Sequence, residues 1–336
     1  LSTEKNRQKQ GRNKSAVWLY RCAAKRNTES ALMIERRDRD MKKAGMILEG
    51  GGQRGIFTSG VLDYLMEKKV ELPYVIGVSA GACNAVDYVS NQILRTKECM
   101  LDAQLDNELY GVKTLMHTKY FMNMDLIFDE FPNHLYPFDF ETYVKSPTRC
   151  LLAVTNCITG KAEFIEEYRD KARMMNACRA SSSLPFGAPM VDLDGVPMLD
   201  GGIADSIPVR KAIADGFDHN IIILTRRKGY YKEEKTDAVI RMAKIWYRKY
   251  PNLIKALAQR SHAYNRTLDL IERLEKKGMV FVIRPTAPCV SRTERDLEKL
   301  EDFYWHGYEE AERLYPQLHE WLEKREECVS RKRLLR

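Results

Sequence analysis

Three short stretches hold the residue types from which a reactive centre is built. Ser79 stands in Gly77-Val78-Ser79-Ala80-Gly81, between an apolar run and a helical pattern that opens at Ala80. A serine on a sharp strand-to-helix turn, with glycines two residues to each side, fits a nucleophile elbow, which pushes the hydroxyl out at the end of a sheet. Gly50-Gly51-Gly52-Gln53-Arg54-Gly55 follows the apolar run Met46-Ile47-Leu48 and precedes a second helical pattern. Consecutive glycines leave backbone N–H groups uncovered near a helix N-terminus, where negative charge is stabilised. A serine nucleophile needs such donors close by, and removing one typically costs about 2.7–4 kcal/mol of transition-state stabilisation. The third stretch is Asp200-Gly201-Gly202, directly after a hairpin pattern around Asp194-Gly195. A carboxylate at a strand end, followed by glycines that let the chain turn, is suited to meet a serine from a neighbouring strand. By itself it equally suits an Asx-turn or the cap of the next helix.

The elements needed to position these residues are legible around them. Residues 46–49 and 75–78 read as buried strands, 150–155 as a central strand, and 161–165 as its hairpin partner. A helix over 169–180 ends before Pro185, and 190–193 with 196–199 form the hairpin that delivers Asp200. Further strands are expected at 221–224 and 279–283, and helices at 237–250, 252–277 and within 293–324. Strands alternating with helices predict an α/β fold. Residues 102–131 mix helical pattern with aromatics that either fill the core or cap the site, and 132–147 read as a loop. Trp305, Tyr308, Leu314, Tyr315, Leu318 and Trp321 form an apolar face at helical spacing, for packing on the core or for contact with a membrane interface.

The three motifs, in this order, resemble the patatin-like phospholipase family. The resemblance runs from about Met46 to about Arg226 and takes in Arg179-Ala180-Ser181-Ser182 and Ile207-Pro208-Val209. It implies a three-layer α/β/α fold with a largely parallel central sheet, and a catalytic domain over 44–228. Residues 229–336 resemble the accessory region of bacterial members, mostly helical and packed on that domain. The resemblance further implies a serine–aspartate dyad, with Ser79 as nucleophile and Asp200 as base. The oxyanion hole maps onto the amides of Gly51, Gly52 and Gln53, in a motif completed by Gly50, Arg54, Gly55, Gly77, Gly81, Gly201 and Gly202. The implied chemistry is acyl transfer through an acyl-serine, on lipid esters, with no metal or other cofactor. Arg54 serves either to pair with a nearby acid and hold the loop or to meet a phosphate group.

Two other chemistries share parts of the pattern. An α/β-hydrolase uses the same elbow with a late histidine, for which His219, His262, His306 and His319 are available, none of them in a turn after a strand. Dinucleotide binding fits G-x-G-x-x-G, but needs an acid at the end of a second strand, whereas Glu67 and Glu71 fall on or just after the helix. A lipid-binding protein on the same fold is the non-enzymatic alternative, and it has no need of Ser79, Asp200 and the glycine turn together.

Composition narrows the setting. Of the net charge of +8, all is located in residues 1–43, with thirteen Lys and Arg against five Asp and Glu; the remainder carries 42 of each sign. That neutral body is not expected to bind nucleic acid. The basic segment reads as a tether to nucleic acid or to an anionic membrane, or residues 1–40 as an upstream extension outside the native product, since Met41 would be an ordinary start just before the first strand. No apolar run has the length of a membrane-spanning helix. The eight cysteines are scattered without metal-ligand spacing, as in a reduced compartment. The expected location is cytoplasmic, with peripheral contact at the inner membrane face; oligomeric state leaves no mark in the sequence.

Overall fold

The computed structural model describes residues 44–105, 109, 114, 116, 119–234 and 236–334, and of 103–105 and 325–334 only the backbone; the basic segment 1–43 and Tyr110 lie outside the described residues. Eight strands make one mixed sheet: β1 (Ala44–Leu48), β2 (Tyr74–Val78), β3 (Arg149–Asn156), β4 (Ala162–Ile165), β5 (Val191–Leu193), β6 (Val196–Asp200), β7 (His219–Ile223) and β8 (Val280–Ile283). Their order is β5-β6-β3-β2-β1-β7-β8, with β4 also on β3. The run β3-β2-β1-β7-β8 is parallel throughout. β1 and β2 are buried along their whole length, as strands covered on both faces must be.

Helices supply that cover. On one face, α6 (Val209–Ala214) and α8 (Pro251–Lys276) pack on Ile47, Ile76 and Ile222 through Val209, Tyr264 and Ile271. On the other lie α1 (Gly55–Glu67), α2 (Ala80–Val89) and α9 (Leu297–Leu334), beside α3 (Arg95–Leu105) and α5 (Lys171–Ser182). The fold is therefore the three-layer α/β/α arrangement with a largely parallel sheet. A short helix, α7 (Asp237–Trp246), precedes α8.

α9 is one long helix that continues through Pro316. It crosses α1 closely: a side chain on Gly60 would strike the Tyr304 carbonyl, and one on Gly307 the Phe57 carbonyl. Its aromatic face is used for packing. Tyr308 meets Tyr64 edge-on at 5.1 Å, and Trp321 Nε1 donates to the Gly278 carbonyl at 2.9 Å. Among the described residues no helix is long and apolar enough to cross a membrane.

The loop expected over 132–147 is instead largely helical. A π-helix spans Leu126–Leu135 with Pro132 inside it, and Phe140–Lys145 forms α4. Proline normally ends an α-helix by removing a donor. Here Phe128, Phe131 and Pro132 are buried, so packing decides the conformation. α4 is capped at its N-terminus by Asp139, whose Oδ1 accepts from Thr142 N at 2.9 Å.

Candidate active site

β2 delivers Ser79 into an elbow with φ 57° and ψ −127°, a backbone conformation that costs a non-glycine residue and persists only where its surroundings enforce it. The surroundings do so here. A Cβ on Gly77 would strike the Gly81 carbonyl, and one on Gly81 would lie 2.5 Å from the Leu48 carbonyl, so strand and helix meet without side chains between them. The Ser79 amide is held from the other side, donating to Ser181 Oγ at 2.8 Å.

Asp200 reaches the same place along β3. Val78 stands opposite Ala153, and Asp200 opposite Val154. β4 occupies the other edge of β3 at these positions, so β2 and β6 share one edge and their C-terminal ends meet head to head. Ser79 follows the end of one and Asp200 ends the other. The Asp200 backbone is locked, with its N–H donating to Ser183 O and its carbonyl accepting from Thr155 Oγ1, both at 2.9 Å.

The two carboxylate oxygens of Asp200 have different surroundings. Oδ1 accepts from Gly202 N at 2.7 Å and caps the short 3₁₀ turn Gly201–Ile203. Oδ2 is buried and has no hydrogen-bond partner, although the residue is only 2% exposed. The capping role and a chemical role therefore fall to separate atoms. Ser79 and Asp200 line one chamber. The Ser79 hydroxyl makes no hydrogen bond among the described residues; such contacts often tighten only in the complex with substrate.

The glycine turn lies against the elbow. A Cβ on Gly50 would fall 2.7 Å from the Val78 carbonyl, and Gly55, opening α1, abuts Ala80. Gly52 has φ 58°, the left-handed region, with the Arg292 carbonyl where a side chain would go. Gln53 departs from the expected oxyanion set: its amide donates to Arg292 O at 2.9 Å. Sequence spacing offered no sign of this partner 239 positions away in the numbering. Gly51 and Gly52 also line the chamber that holds Ser79, and among the described residues their amides have no acceptor.

Residues 46–213, half of the chain, match the patatin-like phospholipase family. The chain belongs to that family. Residues 250–323 match a second description, a domain of unknown function (DUF6363). Uncharacterized protein YjjU of Escherichia coli (strain K12) is 26% identical over 255 residues, 74% of this chain and 70% of that protein. The crystal structure of VipD from Legionella pneumophila aligns with a TM-score of 0.44 at 14% identity, over 82% of this chain and 67% of that one.

Two cavities of this patatin-like site open from Ser79. The first is apolar, lined by Val86, Met122, Ile127, Phe128, Phe131 and Leu184. Thus aromatics from the 102–131 segment do wall the site. Burial pushes the Cys83 thiol in this cavity up to about 12, so it is protonated at neutral pH. The second is polar and contains Asp200 with Arg54, Arg226, Lys232, Arg260 and Arg292. Arg54 has no carboxylate within ion-pair distance among the described residues, and Glu49 acts on it only from further off. Burial, with the Arg226 charge beside it, brings its guanidinium down to about 10. Sequence reasoning singled out none of the other four cations.

The late histidines lie elsewhere. None of His219, His262, His306 and His319 lines either cavity. His306 Nε2 accepts from Thr286 N at 3.0 Å, and His319 sits beside Glu323 on α9. Glu67, a candidate for a ribose contact, accepts instead from Tyr308 Oη at 2.7 Å.

Proposed function

We propose that this protein is a serine acyl hydrolase acting on carboxylic esters of lipids, with Ser79 and Asp200 as its dyad. The observation that carries the reading is the unpartnered Asp200 Oδ2, buried in the chamber that also contains the strained Ser79. With Oδ1 held by the Gly202 amide, Oδ2 is the oxygen left open to accept from the Ser79 hydroxyl. Asp200 accepts the Ser79 proton as Oγ attacks the ester carbonyl. The negative charge that develops on the carbonyl oxygen is met by the amides of Gly51 and Gly52. Collapse of the tetrahedral intermediate expels the alcohol, which takes its proton from Asp200 and leaves the acyl group on Ser79. Water then attacks the acyl-serine while Asp200 takes its proton, and as the C–O bond to Ser79 breaks Asp200 returns that proton to Oγ, releasing the fatty acid and restoring both residues.

Family membership supports a lipid substrate, and the apolar cavity beside Ser79 suits an acyl chain. The test is turnover of a short-chain p-nitrophenyl ester by wild type, Ser79→Ala and Asp200→Asn, with a fluorophosphonate label in parallel. Both variants are expected to lose activity by about three to four orders of magnitude or more, and the label to be absent from Ser79→Ala. A folded wild type that neither turns over ester nor takes label would sink the catalytic reading in favour of lipid binding.

A further inference from the structure

The polar chamber has a charge imbalance that the hydrolytic mechanism does not use. Five cations line it, Arg54, Arg226, Lys232, Arg260 and Arg292, against two acids, Glu49 and Asp200. Glu49 is already engaged, accepting from Thr225 N at 2.7 Å and from Tyr264 Oη at 2.7 Å. Asp200 gives one oxygen to Gly202 N. Among the described residues no carboxylate lies within ion-pair distance of any of the five, although Glu49 acts from further off on Arg54 and Lys232, and Asp200 on Arg260. Arg226 lies over the Tyr230 ring at 4.4 Å and Lys232 Nζ over the Tyr264 ring at 3.7 Å, while Arg260 Nε donates to Gly202 O at 2.6 Å. Arg54 Nε is buried without any partner.

Unpaired charges taken out of water are costly, and like charges gathered round one cavity raise that cost. Burial, with the Arg260 charge added, brings the Lys232 ammonium down to about 7 although Glu49 opposes the fall. The arrangement suits a ligand that carries more than one negative charge. A phosphate monoester has about −1.5 to −2 at neutral pH and several acceptor oxygens. A choline or ethanolamine headgroup would instead bring a further cation among five.

We propose that the chamber receives the phosphate of the substrate, and that the preferred substrates are acyl esters of an alcohol bearing a phosphate monoester, such as a monoacylglycerol phosphate. The inference rests on the acyl-hydrolase reading above. Ser79, Gly52 and Leu184 line both cavities. The acyl chain then occupies the apolar one, the ester lies at Ser79, and the phosphate sits among the cations. Four of the five cations follow β7 in the chain, and Arg260 and Arg292 fall within residues 250–323. Headgroup selection is thereby a role for the region that matches the domain of unknown function.

The experiment uses the full chain and three substrates with one acyl chain in common, 1-oleoylglycerol 3-phosphate, 1-oleoylglycerophosphocholine and 1-oleoylglycerol, in the same nonionic micelles. Fatty-acid release should favour the phosphate monoester over both others in kcat/KM by about 10- to 100-fold, the scale of charge-assisted hydrogen bonds. Lys232→Met and Arg292→Met should each cut that preference about tenfold. Binding is read without chemistry by thermal shift: glycerol 3-phosphate should raise the Tm of wild type, with less effect on either variant, and phosphocholine should not. Release from none of the lipids defeats the hydrolase reading, and the thermal shift then still decides whether the chamber takes a phosphate monoester. Equal rates on the three lipids, or preference for the choline ester, overturn the substrate assignment. Stabilisation by inorganic phosphate equal to that by glycerol 3-phosphate, with no preference among the lipids, overturns it too, since the anion bound is then free phosphate.

Discussion

Ser181 ties Ser79 to the sheet: its Oγ accepts from the Ser79 amide at 2.8 Å and donates to the Ala153 carbonyl at 2.6 Å. The bridge fixes the elbow against the strand beside which Asp200 ends. Ser181→Ala leaves a buried N–H and a buried carbonyl without this partner, at about 1–3 kcal/mol. The variant is expected to lose that much unfolding free energy, with a correspondingly lower denaturant midpoint, and, since the hydroxyl touches no reacting atom, to lower kcat more than it alters KM. Denaturant titration and ester kinetics check both. Wild-type stability would show that the bridge is dispensable.

The elbow makes a sharper demand at Gly77. Even one methyl there would meet the Gly81 carbonyl, which is backbone and has no room to swing aside. Gly77→Ala should therefore cost about 1–3 kcal/mol or more from overpacking, and it should displace Ser79. Loss of fluorophosphonate labelling in protein that remains folded by circular dichroism is the expected outcome. Normal labelling would mean that strand and helix can separate without moving the serine.

What the sequence revealed and what it hid follow from the range of the constraints. Gly77, Ser79 and Gly81 lie within five residues, and steric limits on one turn suffice to recognise them. The hairpin leading to Asp200 is likewise local. That β2 and β6 meet end to end on one edge of β3 depends on register between distant strands, which periodicity does not encode. Lys232, Arg260 and Arg292 read singly as ordinary surface charge, and only the fold collects them. Pro132 carried a strong local signal for a break, overridden by burial of Phe128 and Phe131. Ser181 belongs to the Arg179-Ala180-Ser181-Ser182 stretch of the family resemblance, but nothing local to that stretch indicates which distant amide and carbonyl it bridges.

The apolar cavity predicts a dependence on acyl length that one residue can change. Cys99 lines it from α3. Cys99→Phe fills space that a chain would occupy. If four methylenes are excluded, at about 0.8 kcal/mol each, long-chain esters lose about 3 kcal/mol of binding, roughly a hundredfold. The ratio of kcat/KM for p-nitrophenyl decanoate to that for the butyrate should fall accordingly, with the butyrate little affected. An unchanged ratio would show that the chain lies elsewhere.

Asp63 gives a pH-dependent prediction for stability. It sits on α1 under α9, 3% exposed, and Tyr304 Oη donates to its Oδ2 at 2.8 Å. Burial pushes its carboxyl up to about 7, against the opposing effect of the Tyr304 hydrogen bond. In the unfolded chain it ionises near the ordinary value of about 3.9. Below that pH both states hold the proton and the site adds no pH dependence. Between about 4 and 7 the folded state keeps a proton that the unfolded state has lost, so stability falls as pH rises; above 7 the cost is complete. Asp63→Asn keeps an acceptor for Tyr304 and removes the charge. Its gain in Tm over wild type should be small at pH 4, grow through pH 7 and then level off, reaching several degrees at roughly 2–4 °C per kcal/mol. A gain that stays constant across this range would show that Asp63 is already ionised at low pH in the folded protein.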